Sequence, residues 1–270
     1  MTRPAWLDSL LTLRQPVSQA WAQTLAGTCI MALGFLWFIC TIGPAEARFI
    51  SPAILPSPAE VIGSVKSLIT ERDLFSSILA TMQRVLLGFG LAILIGVPLG
   101  VAAGSWRALE AFLKPIVTAG RNLPVAALIP LTVLWFGIYE QQKVMFIFIA
   151  AVPFIFADAA ASILNVPERY VDTSRTLGAS DRQIVLKVLV PLALPDIFRS
   201  LRSLFGLAFG YIMLAELINA PQGLGAMLNV SQRRGLTEHI FLILIVIGLI
   251  AWTIDFSLGK LEKKLFPYRQ

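Results

Sequence analysis

Histidine occurs once in the 270 residues, as His239, and cysteine only twice, as Cys29 and Cys40. No soft ligands therefore stand at metal-binding spacing, which leaves little for a transition-metal site. On one helix the two cysteines would be separated by about 16 Å, too far for a disulfide within it, so both are expected to be packing residues. The string Gly-x-x-x-x-Gly-Lys-Ser/Thr does not occur, and without it the chain has no P-loop to wrap around nucleotide phosphates. Nor does Gly-x-Ser-x-Gly; with a single histidine, this argues against a hydrolase using Ser-His chemistry. Charged residues are only 14% of the chain, and no dense Lys/Arg block accompanies the net charge of +6, which argues against nucleic acid as a partner.

Hydrophobic residues, in contrast, make up 57%. A span needs roughly 20 largely apolar residues, and six candidate stretches stand out: Trp21–Ile42, Leu74–Ala103, Ile116–Ile138, Val144–Leu164, Leu201–Ile218 and Ile240–Leu258. The expected fold is an all-α integral membrane protein with six transmembrane helices. Lys and Arg accumulate on the cytoplasmic side of such chains. With the N-terminus inside, fifteen of them, from Arg3 to Arg269, fall on the inner side and six on the outer, Arg48, Lys66, Arg72, Lys143, Arg233 and Arg234. Both termini are therefore expected in the cytoplasm. Residues 1–20 read as a cytoplasmic amphipathic segment, with Trp6, Leu10, Leu13 and Val17 at helical spacing and no signal-peptide cleavage site. Residues 21–270 form one transmembrane domain.

Ionisable groups inside spans are costly and tend to be functional. Arg84 is left inside the second span and Arg121 begins the third, so either could attract an anionic solute. Glu216, near the outer end of the fifth span, needs a compensating partner at a helix C-terminus. Asp158 and Asp255 fall near the cytoplasmic ends and read as interfacial. Pro124 and Pro130 should bend the third span and make it a pore wall, since freed carbonyls are tolerated only beside protein or a polar cavity. Arg84, Arg121, Pro124, Pro130 and Glu216 are thus candidates for the translocation path. Gly96, Gly100 and Gly104 give the second span a small-residue face for close helix packing. In the first outer loop, Ser57, Pro58 and Glu60 form a capping box with proline at the first helical position, ahead of an apolar stripe at Val61, Ile62, Val65, Leu68 and Ile69.

The segment Tyr170–Pro195 is a charged interruption between spans. Its pattern is helical to Leu177, and Gly178 stands where a left-handed residue would end that helix. Ser180 and Gln183 cap a second helix whose apolar stripe is Ile184, Val185, Val188 and Leu189, and Pro191 and Pro195 are expected to end it. Ordered loops of this length are usually functional, and this one is expected to dock a partner.

These residues resemble the cytoplasmic signature loop of binding-protein-dependent ABC importer permeases: Glu-Ala-Ala, three residues, Gly, nine residues, Ile-x-Leu-Pro. Asp172, Thr173 and Ser174 take the first triplet, Gly178 the glycine with Ala179 beside it, and Val188, Val190 and Pro191 the close. The triplet departs from the pattern while its spacing is kept. The strings LPSPAEV at Leu55, RNLPVAALIPLTVLWFGIYEQQKV at Arg121 and AELINAPQGLG at Ala215 extend the resemblance from about Ile50 to Arg269, within the nitrate, sulfonate, taurine and bicarbonate branch. The resemblance implies the type I importer permease fold with a coupling loop at 165–198, in a bacterial inner membrane. It implies a second permease subunit, here expected to be another copy, an external solute-binding protein, and two ATPase subunits that hold ATP and magnesium while this chain carries no cofactor. The solute would be a small anion, and the chain a transport subunit and not an enzyme. A secondary transporter driven by an ion gradient is the alternative; it would show paired repeats and more intramembrane ionisable groups.

Overall fold

The structure, a computed structural model, describes residues 17–46 and 48–269. The amphipathic reading of residues 1–20 lies almost wholly outside them. Among the described residues the chain is helical throughout, with no strand.

Helix α1 (Gln19–Cys40) starts at Ser18, whose side chain accepts the Trp21 N–H, and buries none of its residues in the chain. A helix apolar all round needs lipid or protein about it. It is tied down near its end, where the Trp37 indole N–H donates to the Pro56 carbonyl at 2.8 Å and the ring stacks on Phe241. Cys29 is exposed on α1 instead of packed inside the chain.

The loop that follows carries two short helices where one was expected, α2 (Pro58–Gly63) and α3 (Val65–Thr70), separated at Ser64. The capping box is present: Ser57 Oγ accepts the Glu60 N–H and Glu60 Oε2 accepts the Ser57 N–H. Val61 and Leu68 are buried, whereas the break turns Ile62 outward, 71% exposed. Arg48 grips Glu60 with two nitrogens at 2.9 and 3.0 Å. That bond and the Ser57 backbone hold the Glu60 carboxyl down at about 2.

The core is built on α4 (Leu74–Ser105) and α7 (Glu140–Leu164), which run side by side in the same direction. The glycine face explains how closely they approach. A Cβ at Gly88 would lie 2.6 Å from the Val144 carbonyl, at Gly100 2.5 Å from that of Phe156, and at Gly104 2.7 Å from that of Ala160. Arg84 and Glu140 keep the same separation of 56 residues, so the two helices stay in register from one end of the contact to the other.

A parallel pair needs a return path, and the segment between supplies it as α5 (Arg107–Asn122), a 3₁₀ turn (Val125–Ala127) and α6 (Leu128–Phe136). The bend expected in the third span is a full break. The two pieces meet at 92°. Pro124 is the cause: it withholds an N–H and drives Leu123 into the extended region, where the helix stops. Pro130 bends nothing, because it sits in the first turn of α6, where a missing donor costs little.

Beyond α7 come α8 (Glu168–Thr176), α9 (Asp181–Ile184), a π turn (Val185–Leu189), α10 (Val190–Glu216), α11 (Leu224–Arg233) and α12 (Thr237–Leu265). Four helices, α1, α4, α7 and α12, are long and apolar enough to span a membrane, and the bent α5–α6 pair would make a fifth. Six uniform spans therefore overstated the regularity. Helix α10 has the length but carries Asp196, Arg199, Arg202 and Glu216.

Candidate functional site

At one end of the bundle lies the charged segment. Helix α8 buries no residue. It closes in a Schellman motif, in which the Ala179 N–H donates to the Ser174 carbonyl at 3.0 Å and the Gly178 N–H to that of Arg175 at 2.9 Å. Gly178 has φ +80°, the left-handed value the pattern requires. Just before it Leu177 is 82% exposed. In the unusual triplet, Thr173 and Ser174 donate their hydroxyls to carbonyls four residues back, at Arg169 and Tyr170, so their polarity is met inside the helix. Asp172 and Thr173 face outward.

The second half behaves oppositely. Gln183 Oε1 accepts the Ser180 N–H, and Ile184, Val185 and Leu189 are buried against Ala159 and Ile163 of α7, with Val188 half-buried. Pro191 and Pro195 do not end this helix, which corrects the expected stop. The π turn widens the backbone, with the Val190 N–H reaching five residues back to Val185, and the chain runs on into α10 with Pro191 in its first turn. A groove of about 310 Å³ beside the segment is lined by Trp106, Arg107, Glu168, Arg175, Asp181 and Ile184, among others.

At the opposite end of the bundle the structure joins residues that lie far apart in sequence. Arg84 on α4 holds Glu140 of α7 with two nitrogens, both at 2.6 Å, and Glu216 of α10 with a third at 2.7 Å. That third nitrogen also donates to the Gln222 carbonyl. The Glu216 side chain is fully buried, Arg84 nearly so, and Glu140 59% exposed. Thr81, one turn before Arg84, donates its hydroxyl to Glu216 and accepts the Leu224 N–H. The Gly225 N–H donates to Glu216 at 2.8 Å. The carboxylate thus caps the N-terminus of α11, where exposed amides favour negative charge.

AELINAPQGLG is the loop that folds over this carboxylate. At Gly223, φ is +134° and a Cβ would stand 2.5 Å from the Glu216 carboxyl carbon, so no side chain fits. Nearby Lys143 is completely buried and donates to the Ile138 and Tyr139 carbonyls, and buried Gln142 donates to Thr132. Arg84 is therefore committed to acids of its own chain, and Glu216 has the partner its position demanded. Sequence reasoning missed Glu140, Thr81 and Lys143. Thr81 sits one turn from Arg84, and Glu140 and Lys143 lie within the string at Arg121, but the pairing itself needs the fold.

Asp255 is not merely interfacial: Arg202 grips it with two nitrogens at 2.6 Å, and Arg199 and Arg202 also reach Glu262 at 3.1 and 3.3 Å. These pairs tie α10 to α12. Arg121 lies at the end of α5 with its guanidinium over the Phe154 ring, 5.5 Å from the centroid. Pro124 and Pro130 are exposed on the bent pair.

A bundle of apolar helices with an exposed, well-capped segment at one end and a self-neutralised charge cluster at the other is a membrane-embedded subunit built to work with partners. Comparison with known proteins makes the class specific. Residues 96–266 match the family described as binding-protein-dependent transport system inner membrane component. The chain is 30% identical over 263 residues to the taurine transport system permease protein TauC of Escherichia coli, covering 96% of this chain and 94% of that protein. It is 29% identical to the putative aliphatic sulfonates transport permease protein SsuC of Bacillus subtilis (82% and 80% covered) and 30% identical to the nitrate import permease protein NrtB of Synechocystis (80% and 82%). Its fold matches a chain of the inward-facing MetNI methionine ABC transporter with a TM-score of 0.62 at 24% identity, covering 71% of this chain and 95% of that one.

The chain belongs to the binding-protein-dependent transport family, as the permease subunit of an ABC importer with the type I fold. It is a transport subunit and not an enzyme.

Proposed function

We propose that two copies of this permease form the path for a small oxyanion of the sulfonate or nitrate type, with both termini in the cytoplasm, and that residues 165–198 receive the thrust of two ATPase subunits. ATP and magnesium then reside on those subunits, and an external binding protein delivers the solute. The relatives named for taurine, aliphatic sulfonates and nitrate support the solute class. One observation carries the docking reading: α8 buries no residue and exposes Asp172, Thr173 and the large apolar Leu177, while Ile184, Val185 and Leu189, which follow the bend, are buried in the core. Asp172, Thr173, Ser174, Gly178 and Ala179 would make the contact, and Val188 and Pro191 would pass it to α10.

The test is uptake and ATPase activity of the complex reconstituted with its ATPase subunits and binding protein. Gly178→Val has open space around its Cβ but forces a β-branched residue to φ +80°. It is expected to abolish uptake while ATP hydrolysis persists. Leu177→Asp, which alters no buried contact, should weaken assembly with the ATPase subunits. Coupling unchanged in both variants would overturn the docking reading.

A further inference from the structure

Phe154 lies fourteen residues into α7, so at 1.5 Å per residue it is about 21 Å from the Glu140 end and about 15 Å from the Leu164 end. Arg121 is therefore held near the middle of a membrane-spanning helix. Its place in the sequence had put it at the cytoplasmic interface. The position is enforced by packing, because Gly120 lies so close to α7 that a Cβ there would stand 2.7 Å from the Pro153 ring.

Arg84 and Arg202 are bound to carboxylates. Arg121 instead is exposed and makes no hydrogen bond or ion pair with the described residues; its guanidinium lies over the face of Phe154. A guanidinium stacked on a ring keeps the N–H donors along its edge free. A bare cation at mid-depth is stable only beside water or a counter-charge. The backbone break at Leu123 and Pro124, two residues on, demands the same surroundings. The acid within electrostatic reach is Asp158, one turn past Phe154 on the same face of α7 and half-buried.

We propose that Arg121 is the residue of the path that contacts the anion, its guanidinium edge facing a water-filled passage and trading the influence of Asp158 for the oxygens of the solute. The planar fork of donors matches a sulfonate or nitrate. Arg84 cannot serve, since its own chain's acids neutralise it.

This inference rests on the oxyanion reading, so the experiment first asks whether taurine-, sulfonate- or nitrate-loaded binding protein stimulates ATP hydrolysis by the wild-type complex. Failure there refutes the solute class; the following steps refute Arg121 alone. With Cys29→Ser and Cys40→Ser as background, Arg121→Cys is expected to lower solute-stimulated uptake about tenfold to a hundredfold, the loss of a charge-assisted contact, with complex assembly unchanged. Treatment with aminoethyl methanethiosulfonate, which restores a positive charge, should recover uptake. The sulfonatoethyl reagent, which adds a negative one, should not. Arg121→Lys should retain more uptake than Arg121→Gln. Full uptake in Arg121→Gln, or equal recovery with both reagents, would overturn the assignment.

Discussion

Replacing Arg84 with Met puts the buried cluster to a quantitative test. Glu216 has no exposed surface, and its carboxylate is held by Arg84, the Thr81 hydroxyl and the Gly225 amide. Removing the arginine leaves a charge among neutral donors, and breaking one side of a buried ion pair costs about 3–5 kcal/mol. Glu140→Gln removes the exposed partner and should cost about 1 kcal/mol or less. Glu216→Gln falls between, at about 1–3 kcal/mol, because the amide oxygen can still accept from Thr81 and Gly225. The decisive variant is the double one, Arg84→Met with Glu216→Gln: the uncompensated charge is gone, so it should be no less stable than Arg84→Met alone and far from the sum. Thermal unfolding of the purified permease in detergent reads the order. At about 2–4 °C per kcal/mol for a chain near this size, Arg84→Met should lower the apparent Tm by roughly 6–20 °C. A shift below about 2 °C, or strictly additive losses, would mean that the cluster is not the closed electrostatic unit its distances describe.

The packing and the outer loop give two further predictions. Gly100→Val should abolish the yield of monodisperse permease, because its Cβ meets a backbone carbonyl 2.5 Å away, whereas Gly90→Val, on the same helix with nothing within 4 Å, should extract normally; equal yields would refute the helix register. Glu60 has its folded pKa depressed to about 2 from an ordinary 4.5, so its contribution is full above about 4.5 and lost as pH falls toward 2. Hydrogen-exchange protection of residues 57–63 in wild type relative to Glu60→Gln should therefore be constant from pH 8 to 5 and converge only in stronger acid; convergence near neutral pH would contradict the Arg48 pairing.

How much of this was legible beforehand depended on the range of the interaction. Local chemistry read correctly: the capping box at Ser57, the left-handed Gly178 and the glycine face of α4 are set by neighbours within one or two turns. Proline was only half readable. Its missing donor is a local fact, but whether a helix stops depends on what the backbone does next, and Pro124, Pro130 and Pro191 met three outcomes: a 92° break, a harmless first turn and a π turn. The partners of Arg84 lie 56 and 132 residues away. No spacing rule reaches that far; what the sequence offered was the cost of Arg84 and Glu216 in a membrane, which called for partners without naming them. On the proposed reading Arg121 lies deeper than charge counting set it, for a related reason: a broken helix can end at mid-depth.

The two features of the site lie on one rod. Helix α10 runs 27 residues, about 40 Å, from the π turn behind the docking segment to Glu216. Ala193 and Ile197 near its start are packed in the core, and the ion pairs at its two ends differ in burial. Near the docking segment, Arg199 and Arg202 pair with Asp255 and Glu262, and the side chains of Arg199 and Asp255 are 61% and 57% exposed, so water and salt screen these links. At the far end a fully buried carboxylate is locked by Arg84, Thr81 and Gly225, where breaking any partner exposes the full cost of burial. On the proposed reading, thrust arriving through α8 and the π turn meets these screened ion pairs before it meets the buried cluster. The inner end of α10 then swings, carrying α12 through the Arg202–Asp255 pair, about a pivot at Glu216. Arg121, on the bent pair that returns the chain between α4 and α7, lies at the depth between pivot and thrust, where a modest rotation changes which side of the membrane the passage faces.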